Sequence, residues 1–292
     1  MSNKNQTKSK INIVDASIFF DVLVLLMLII SLLFSLAFQN ADKSSLIIQI
    51  FSYLCAPLSV VGAIFLLSFK KKENVIKLLA PKKPNKIAII ATVLITFGML
   101  FGISEVNNLF VQFLNGLGFE IVEATLPKKS FLNVSSIIIF VCIIPAVFEE
   151  VAFRGIILKG LTNGGKTFAI LLSGALFSLF HMSPEQTFYQ FIVGVLYSLI
   201  VLYGGDYTLT IASHLFNNLF IVLNYYFFSL ALVGTFKIVL TVLGLVSLIV
   251  GVILLLKNKT DTQQLENKRS FINGIPIGII VCIFMWIINL VG

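Results

Sequence analysis

Nine runs of about 17–25 mostly apolar residues divide this chain, near 17–38, 47–69, 87–106, 134–158, 166–182, 187–203, 208–229, 232–256 and 271–291. Runs of that length match the hydrocarbon thickness of a bilayer when helical. Within lipid every backbone N–H and C=O must find a partner inside the protein, so such segments form helices rather than open strands. The chain is 58% hydrophobic and 12% charged, more apolar surface than a soluble domain could hide. The expected fold class is an all-α polytopic membrane protein of about eight to nine transmembrane helices around an intramembrane polar cavity. The runs at 166–182 and 187–203 are short, which predicts tilt or a partly re-entrant path. Residues 107–117, between two longer runs, read as a short interfacial helix.

Charge gives an orientation. If the spans alternate, the N-terminus and the segments 70–86, 159–166 and 257–269 share one side and carry 16 of the 21 basic residues. The positive-inside rule makes that side cytoplasmic and puts the C-terminus outside. The first run follows a basic N-terminus and is too long for a signal-peptide apolar region, so it reads as a retained anchor. The net charge of +8 is confined to these connectors, which points to headgroups and not to nucleic acid. Cys55, Cys142 and Cys282 are scattered in apolar segments without paired spacing and read as buried small hydrophobes. No internal repeat and no soluble domain stand out. The expected divisions are N-terminal helices over 1–133, a central core over 134–230 and C-terminal helices over 231–292. The Lys-, Asn-, Ile- and Phe-rich style suggests a bacterial cell membrane.

Against this background a few polar residues need a reason. Glu149, Glu150 and Arg154 lie within one apolar run, and the only two histidines, His181 and His214, lie in others. A charge at the centre of a membrane helix costs roughly 2.5–3.5 kcal/mol. Glu150 and Arg154 are one helical turn apart and can neutralise each other. Glu149 points about 100° away around the helix and stays available; an unpaired carboxylate in a low-dielectric cavity suits a general base. Pro145 can kink the helix just before it. Phe177 lies one turn before His181 and could fix the imidazole plane. His214 and Asn218, again one turn apart, could offer two neutral donors to the oxyanion of a tetrahedral intermediate. A plain structural role, an interhelical staple for the ion pair and a single hydrogen bond for each histidine, is the alternative for each residue taken alone.

In order, Glu149-Glu150-x-x-x-Arg154, Phe177-x-x-x-His181 and His214-x-x-x-Asn218 resemble the CPBP family, the CAAX proteases and bacteriocin-processing enzymes also called Abi. The resemblance covers roughly residues 134–225. It implies an intramembrane, metal-independent endopeptidase of the type II CAAX prenyl kind. Glu149 would activate water with His181, His214 and Asn218 would form the oxyanion hole, and Glu150, Arg154 and Phe177 would support the site. The implied partner is a membrane-associated or lipidated peptide or protein, such as a bacteriocin leader or a pheromone precursor, and no cofactor is expected. The cavity is expected to open towards the cytoplasm.

Other chemistries compete. Glu149, His181 and His214 could supply three ligands to zinc. Ser173-Gly174 is a weak serine-protease match and reads better as a packing notch. Asp206, in Tyr203-Gly-Gly-Asp206, lies at a loop and Asp21 near the start of the first run, which disfavours an aspartyl pair. A non-proteolytic immunity or regulatory scaffold would use the same motifs. A transporter would predict inverted repeats, which are not seen. His181 falls at the far end of its run, so it can join Glu149 and His214 only if that helix is short, tilted or followed by a turn at 182–185.

Overall fold

Asn12 sets the start of the first helix. Its side-chain oxygen accepts from the Asp15 backbone N–H at 2.8 Å, and Asp15 accepts from the Asn12 N–H at 3.2 Å. This reciprocal cap satisfies donors that a helix N-terminus otherwise leaves open. The resulting helix, α1, is Ile13–Ala37 and begins before the apolar run, because the cap and not hydropathy fixes its start. The computed structural model describes residues 11–42, 45–79, 83–121, 126–228, 233–257, 271–272 and 277–291. Among these, eight further helices follow α1: α2 Leu46–Lys71, α3 Lys86–Gly116, α4 Phe131–Gly164, α5 Lys166–Phe180, α6 Thr187–Gly204, α7 Thr208–Leu223 with a π turn at Asn224–Phe228, α8 Gly234–Lys257 and α9 Ile277–Val291. Ser45, Asn85 and Ser130 cap α2, α3 and α4 by accepting from backbone N–H groups at 3.4, 2.7 and 3.1 Å.

Each of the nine apolar runs contains a helix, and no strand occurs among the described residues. Six of them, α1, α2, α3, α4, α6 and α8, are long and apolar enough to cross a membrane, and α5 and α9 are shorter apolar helices. The chain is an all-α polytopic membrane protein. The separate interfacial helix expected at 107–117 does not exist: α3 runs unbroken from Lys86 to Gly116 through a π turn at Met99–Ile103. Asn107 and Asn108, which suggested a new element, line the cavity described below. The lysines Lys4, Lys8, Lys10, Lys43, Lys82, Lys259 and Lys268, and Arg269, lie outside the described residues.

Contacts between connectors define two ends of the bundle. At the first, Lys71 pairs with Asp15 at 2.6 Å, Lys159 donates to the Leu78 carbonyl, Tyr207 donates to the Leu79 carbonyl at 2.7 Å and Lys166 lies 5.2 Å from the Tyr203 ring. At the second, Lys237 pairs with Glu105 at 2.6 Å, Tyr226 donates to the Pro127 carbonyl at 2.8 Å and Phe110 lies 5.9 Å from Phe188. The helices therefore alternate in direction, as the charge argument assumed.

Small residues decide how closely α3 and α8 approach. A Cβ on Gly98 would meet the Gly244 carbonyl at 2.8 Å, and one on Gly244 would meet the Gly102 nitrogen at 2.6 Å. Without a hydrophobic driving force between helices in lipid, such close backbone contact supplies the association. Gly244→Leu should therefore lower the protein's stability in detergent by about 1–3 kcal/mol, because backbone and not a flexible side chain blocks it. Unaltered thermal unfolding in that variant would refute the close seam.

Candidate active site

Helix α4 carries the acidic pair on a short α-helical stretch, Ile144–Glu150, bounded by π segments at Ile138–Ile143 and Val151–Ile157. Extra residues per turn of this kind widen a helix and re-aim its side chains. Pro145 accounts for part of this, since it cannot donate to the Val141 carbonyl four residues back. Asn218 Nδ2, from α7, donates to that carbonyl at 3.4 Å.

Glu150 and Arg154 are both fully buried, and Arg154 Nη1 donates to Glu150 Oε1 at 3.0 Å, the pair that the spacing implied. The guanidinium also lies over aromatic faces, 4.2 Å from the Phe177 ring and 5.1 Å from Tyr197, where a cation is favoured. The same Glu150 oxygen lies 3.1 Å from His214 Nδ1. A carboxylate only accepts, so Nδ1 carries the proton. With Nδ1–H committed to Glu150, a neutral His214 has no proton on Nε2, so His214 can donate from Nε2 only as an imidazolium, and Glu150 is placed to stabilise that charge.

Glu149 is oriented differently. Its side chain is 13% exposed, its Oε2 lies 4.0 Å from His214 Nε2, and that oxygen makes no hydrogen bond among the described residues. Of the two carboxylates, one is locked and one faces open space, as the 100° offset required. His181 caps the C-terminus of α5. Its Nδ1 lies 2.8 Å from the Phe177 carbonyl, which again places the proton on Nδ1 and leaves Nε2 as an acceptor. The Phe177 ring packs edge-on to His181 at 4.8 Å and to His214 at 6.4 Å. Phe177 thus separates the arginine from both imidazoles and braces all three.

Glu149, His181, His214 and Asn218 line one cavity of about 980 Å3. Helix α5 can deliver His181 there because it has only 15 residues, about 22 Å of rise, and then turns. Met182 has a φ of 51°, a left-handed conformation that a non-glycine residue holds only when its surroundings impose it. Asn289 Nδ2 of α9 donates to the Met182 carbonyl at 2.8 Å, and Trp286 Nε1 donates to Thr187 Oγ1 at 2.7 Å. The last helix therefore clamps the turn that carries His181. Asn289→Ala should reduce any cleavage activity more than it reduces thermal stability, with Asn289→Gln recovering part of it. Equal activity in Asn289→Ala and wild type would remove the clamp from the mechanism.

Three residues in or under the site went unnoticed in the sequence. Tyr189 donates to Asn217 Oδ1 at 2.8 Å, and Asn217 Nδ2 donates to Asn218 Oδ1 at 3.4 Å, a relay that orients the Asn218 amide. Tyr197 is fully buried beneath Arg154 and 6.0 Å from His214. Asn217 carried a signal, a second amide in an apolar run; tyrosines in a short apolar helix did not stand out. Ser173 is buried and away from this cavity, and Gly174 is pressed against Gly194, where a Cβ on either would come within 2.7 Å of the opposite helix. The serine–glycine pair is a packing notch. Asp206 caps the start of α7, accepting from the Thr208 N–H at 2.5 Å, and Asp21 accepts from the Gly278 N–H at 2.7 Å. Among the described residues no three His, Cys, Asp or Glu side chains gather closely enough to hold a metal ion.

The direction of the cavity differs from expectation. Its outer lining is Tyr53, Glu105, Asn108, Gln186, Asn224 and Lys237, all at the second end of the bundle. Towards the first, basic end the site is closed by the fully buried Phe153, Arg154, Phe177 and Tyr197. The cavity does not open on the lysine-rich side; Pro145 and the π segment Ile138–Ile143 loosen α4 on the opposite side of Glu149.

Residues 131–220 match the family model described as type II CAAX prenyl endopeptidase Rce1-like. This agrees with the resemblance read from the three motifs. No curated protein and no solved structure matches the chain.

Proposed function

From the match of residues 131–220 to the type II CAAX prenyl endopeptidase Rce1-like family, we propose that the chain is an intramembrane endopeptidase that cuts a membrane-associated or lipidated peptide with glutamate-activated water. The observation that carries this reading is the unequal pair of neighbouring carboxylates. Glu150 is sealed against Arg154 and His214, while Glu149 faces a cavity that also holds the free nitrogen edges of both histidines. Two titratable groups in environments this different support a division between a structural anion and a base.

In the proposed reaction Glu149 takes a proton from water, and the water oxygen attacks the peptide carbonyl carbon. His181 Nε2 accepts from the same water and aligns it. The oxyanion receives hydrogen bonds from His214 Nε2–H, imidazolium by virtue of Glu150, and from Asn218 Nδ2. Glu149 then returns its proton to the departing amine, the C–N bond breaks, and the enzyme regains its starting state. Asn218 must exchange its long bond to Val141 for the oxyanion, which a 3.4 Å contact permits at little cost. A bacteriocin leader or peptide-pheromone precursor fits a substrate of this kind.

The test is cleavage by detergent-purified protein of quenched fluorescent peptides, some lipidated, with Glu149→Gln and a strong chelator as parallel arms. Cleavage that is lost in Glu149→Gln and indifferent to the chelator supports the glutamate mechanism. Cleavage abolished by the chelator and restored by zinc overturns it in favour of a metalloprotease that uses the same residues. Cleavage that persists in Glu149→Gln removes Glu149 as the base, and a chain silent towards its native partner peptide would instead be an immunity or regulatory scaffold.

A further inference from the structure

We infer that the active-site cavity receives its substrate from the extracytoplasmic side of the membrane, so that the peptides cut are exported or membrane-inserted segments and not cytoplasmic precursors; for the cutting, this rests on the peptidase reading above. Two independent observations meet here. The first is charge. The N-terminal segment, 70–86, 159–166 and 257–269 share one side of the alternating spans and carry 16 of the 21 basic residues in the sequence. The segments of the opposite side carry only Lys43, Lys128, Lys129 and Lys237, alongside Asp42, Glu105, Glu120, Glu123 and Glu185. Lysine and arginine in short connectors are retained on the cytoplasmic side of a membrane, so the first end is inside.

The second is the shape of the site. The contacts that tie Tyr207 to Leu79 and Lys159 to Leu78 bring three connectors of the basic end together. Below the acidic pair on that side, Arg154, Phe153, Phe177 and Tyr197 form a floor of fully buried side chains. A peptide arriving from the basic end would have to displace a buried ion pair. From the other end, Asn108 and Gln186 stand exposed at the rim of the same cavity that Glu149 lines. The rim has almost no net charge of its own, since Lys237 is paired with Glu105 at 2.6 Å. Amide side chains there, Asn107, Asn108, Gln186, Gln190 and Asn224, can both donate to and accept from an extended peptide backbone. That rim suits a neutral peptide segment better than a strongly charged one.

The face can be tested without knowing the substrate. Single cysteines are placed at Asn108 (Asn108→Cys) and Lys83 (Lys83→Cys), both exposed, in a chain whose buried Cys55, Cys142 and Cys282 are replaced by alanine. Intact cells are treated with a membrane-impermeant maleimide before and after permeabilisation. The expected result is labelling of Asn108→Cys in intact cells and of Lys83→Cys only after permeabilisation. The reverse pattern, or the same pattern at both sites, overturns the inference. A second arm supplies a cleavable quenched peptide outside intact cells. Labelling at Asn108→Cys without cleavage would leave the face established and count against the peptidase reading, whereas cleavage confined to inside-out vesicles would leave the peptidase and overturn the face.

Discussion

Glu149→Gln should lower kcat/KM for any cleaved peptide by ~10²–10⁴-fold, the usual contribution of a general base, while thermal unfolding in detergent stays within ~0.5 kcal/mol of wild type. The substitution keeps the shape and removes the basic oxygen. Stability should be spared because Glu149 is partly exposed, its Oε2 has no hydrogen-bond partner among the described residues, and its nearest basic group is His214 at 4.0 Å. An amide at this position abandons no buried countercharge. Two assays on the same preparation decide the matter. Full activity in the variant would remove Glu149 from the chemistry. A large loss of stability would show that the residue is structural and that the two carboxylates are not divided in role.

The different surroundings of the two carboxylates were legible in the sequence because they depend only on helical spacing. Residues 150 and 154 share a face, residue 149 does not, and the ion pair at 3.0 Å follows. The all-helical membrane class was equally accessible, because a bilayer admits so few backbone solutions. What escaped depends on partners distant in the chain. Nothing near His214 announces that its Nδ1 is held by Glu150, 64 residues earlier, which leaves Nε2 as the edge that faces Glu149. Nothing near His181 announces that Asn289, 107 residues beyond Met182, holds the following turn. The mouth of the cavity was misjudged for a related reason. Span alternation gives the depth of Glu149 but not which side of it is packed shut, and that is decided by where Phe153, Phe177 and Tyr197 meet Arg154. The extra helical length of α3 was missed because Asn107 and Asn108 read as an exit from the membrane, although they line the cavity.

Arg154→Met should destabilise the protein by about 3–5 kcal/mol, the cost of leaving one member of a buried ion pair without its partner. Both side chains are wholly inaccessible, and Glu150 would keep no cationic partner but the imidazole of His214, at 3.1 Å. Methionine retains much of the packing against Phe177 and Tyr197, so the loss should report charge more than volume. Adding Glu150→Gln to Arg154→Met removes the stranded carboxylate and should restore most of the lost stability, since a neutral pair can be as well tolerated as the ions it replaces. Activity should not return with it. The amide oxygen introduced by Glu150→Gln can still accept from His214 Nδ1, but it cannot stabilise an imidazolium, and without that charge Nε2 has no proton to offer the oxyanion. Thermal unfolding and cleavage measured across wild type, the two single variants and the double variant separate the two functions of Glu150. Recovery of both quantities in the double variant would show that the buried pair only holds α4 in place. Recovery of stability alone would show that Glu150 is kept charged for His214, and that Arg154 is buried to keep it so.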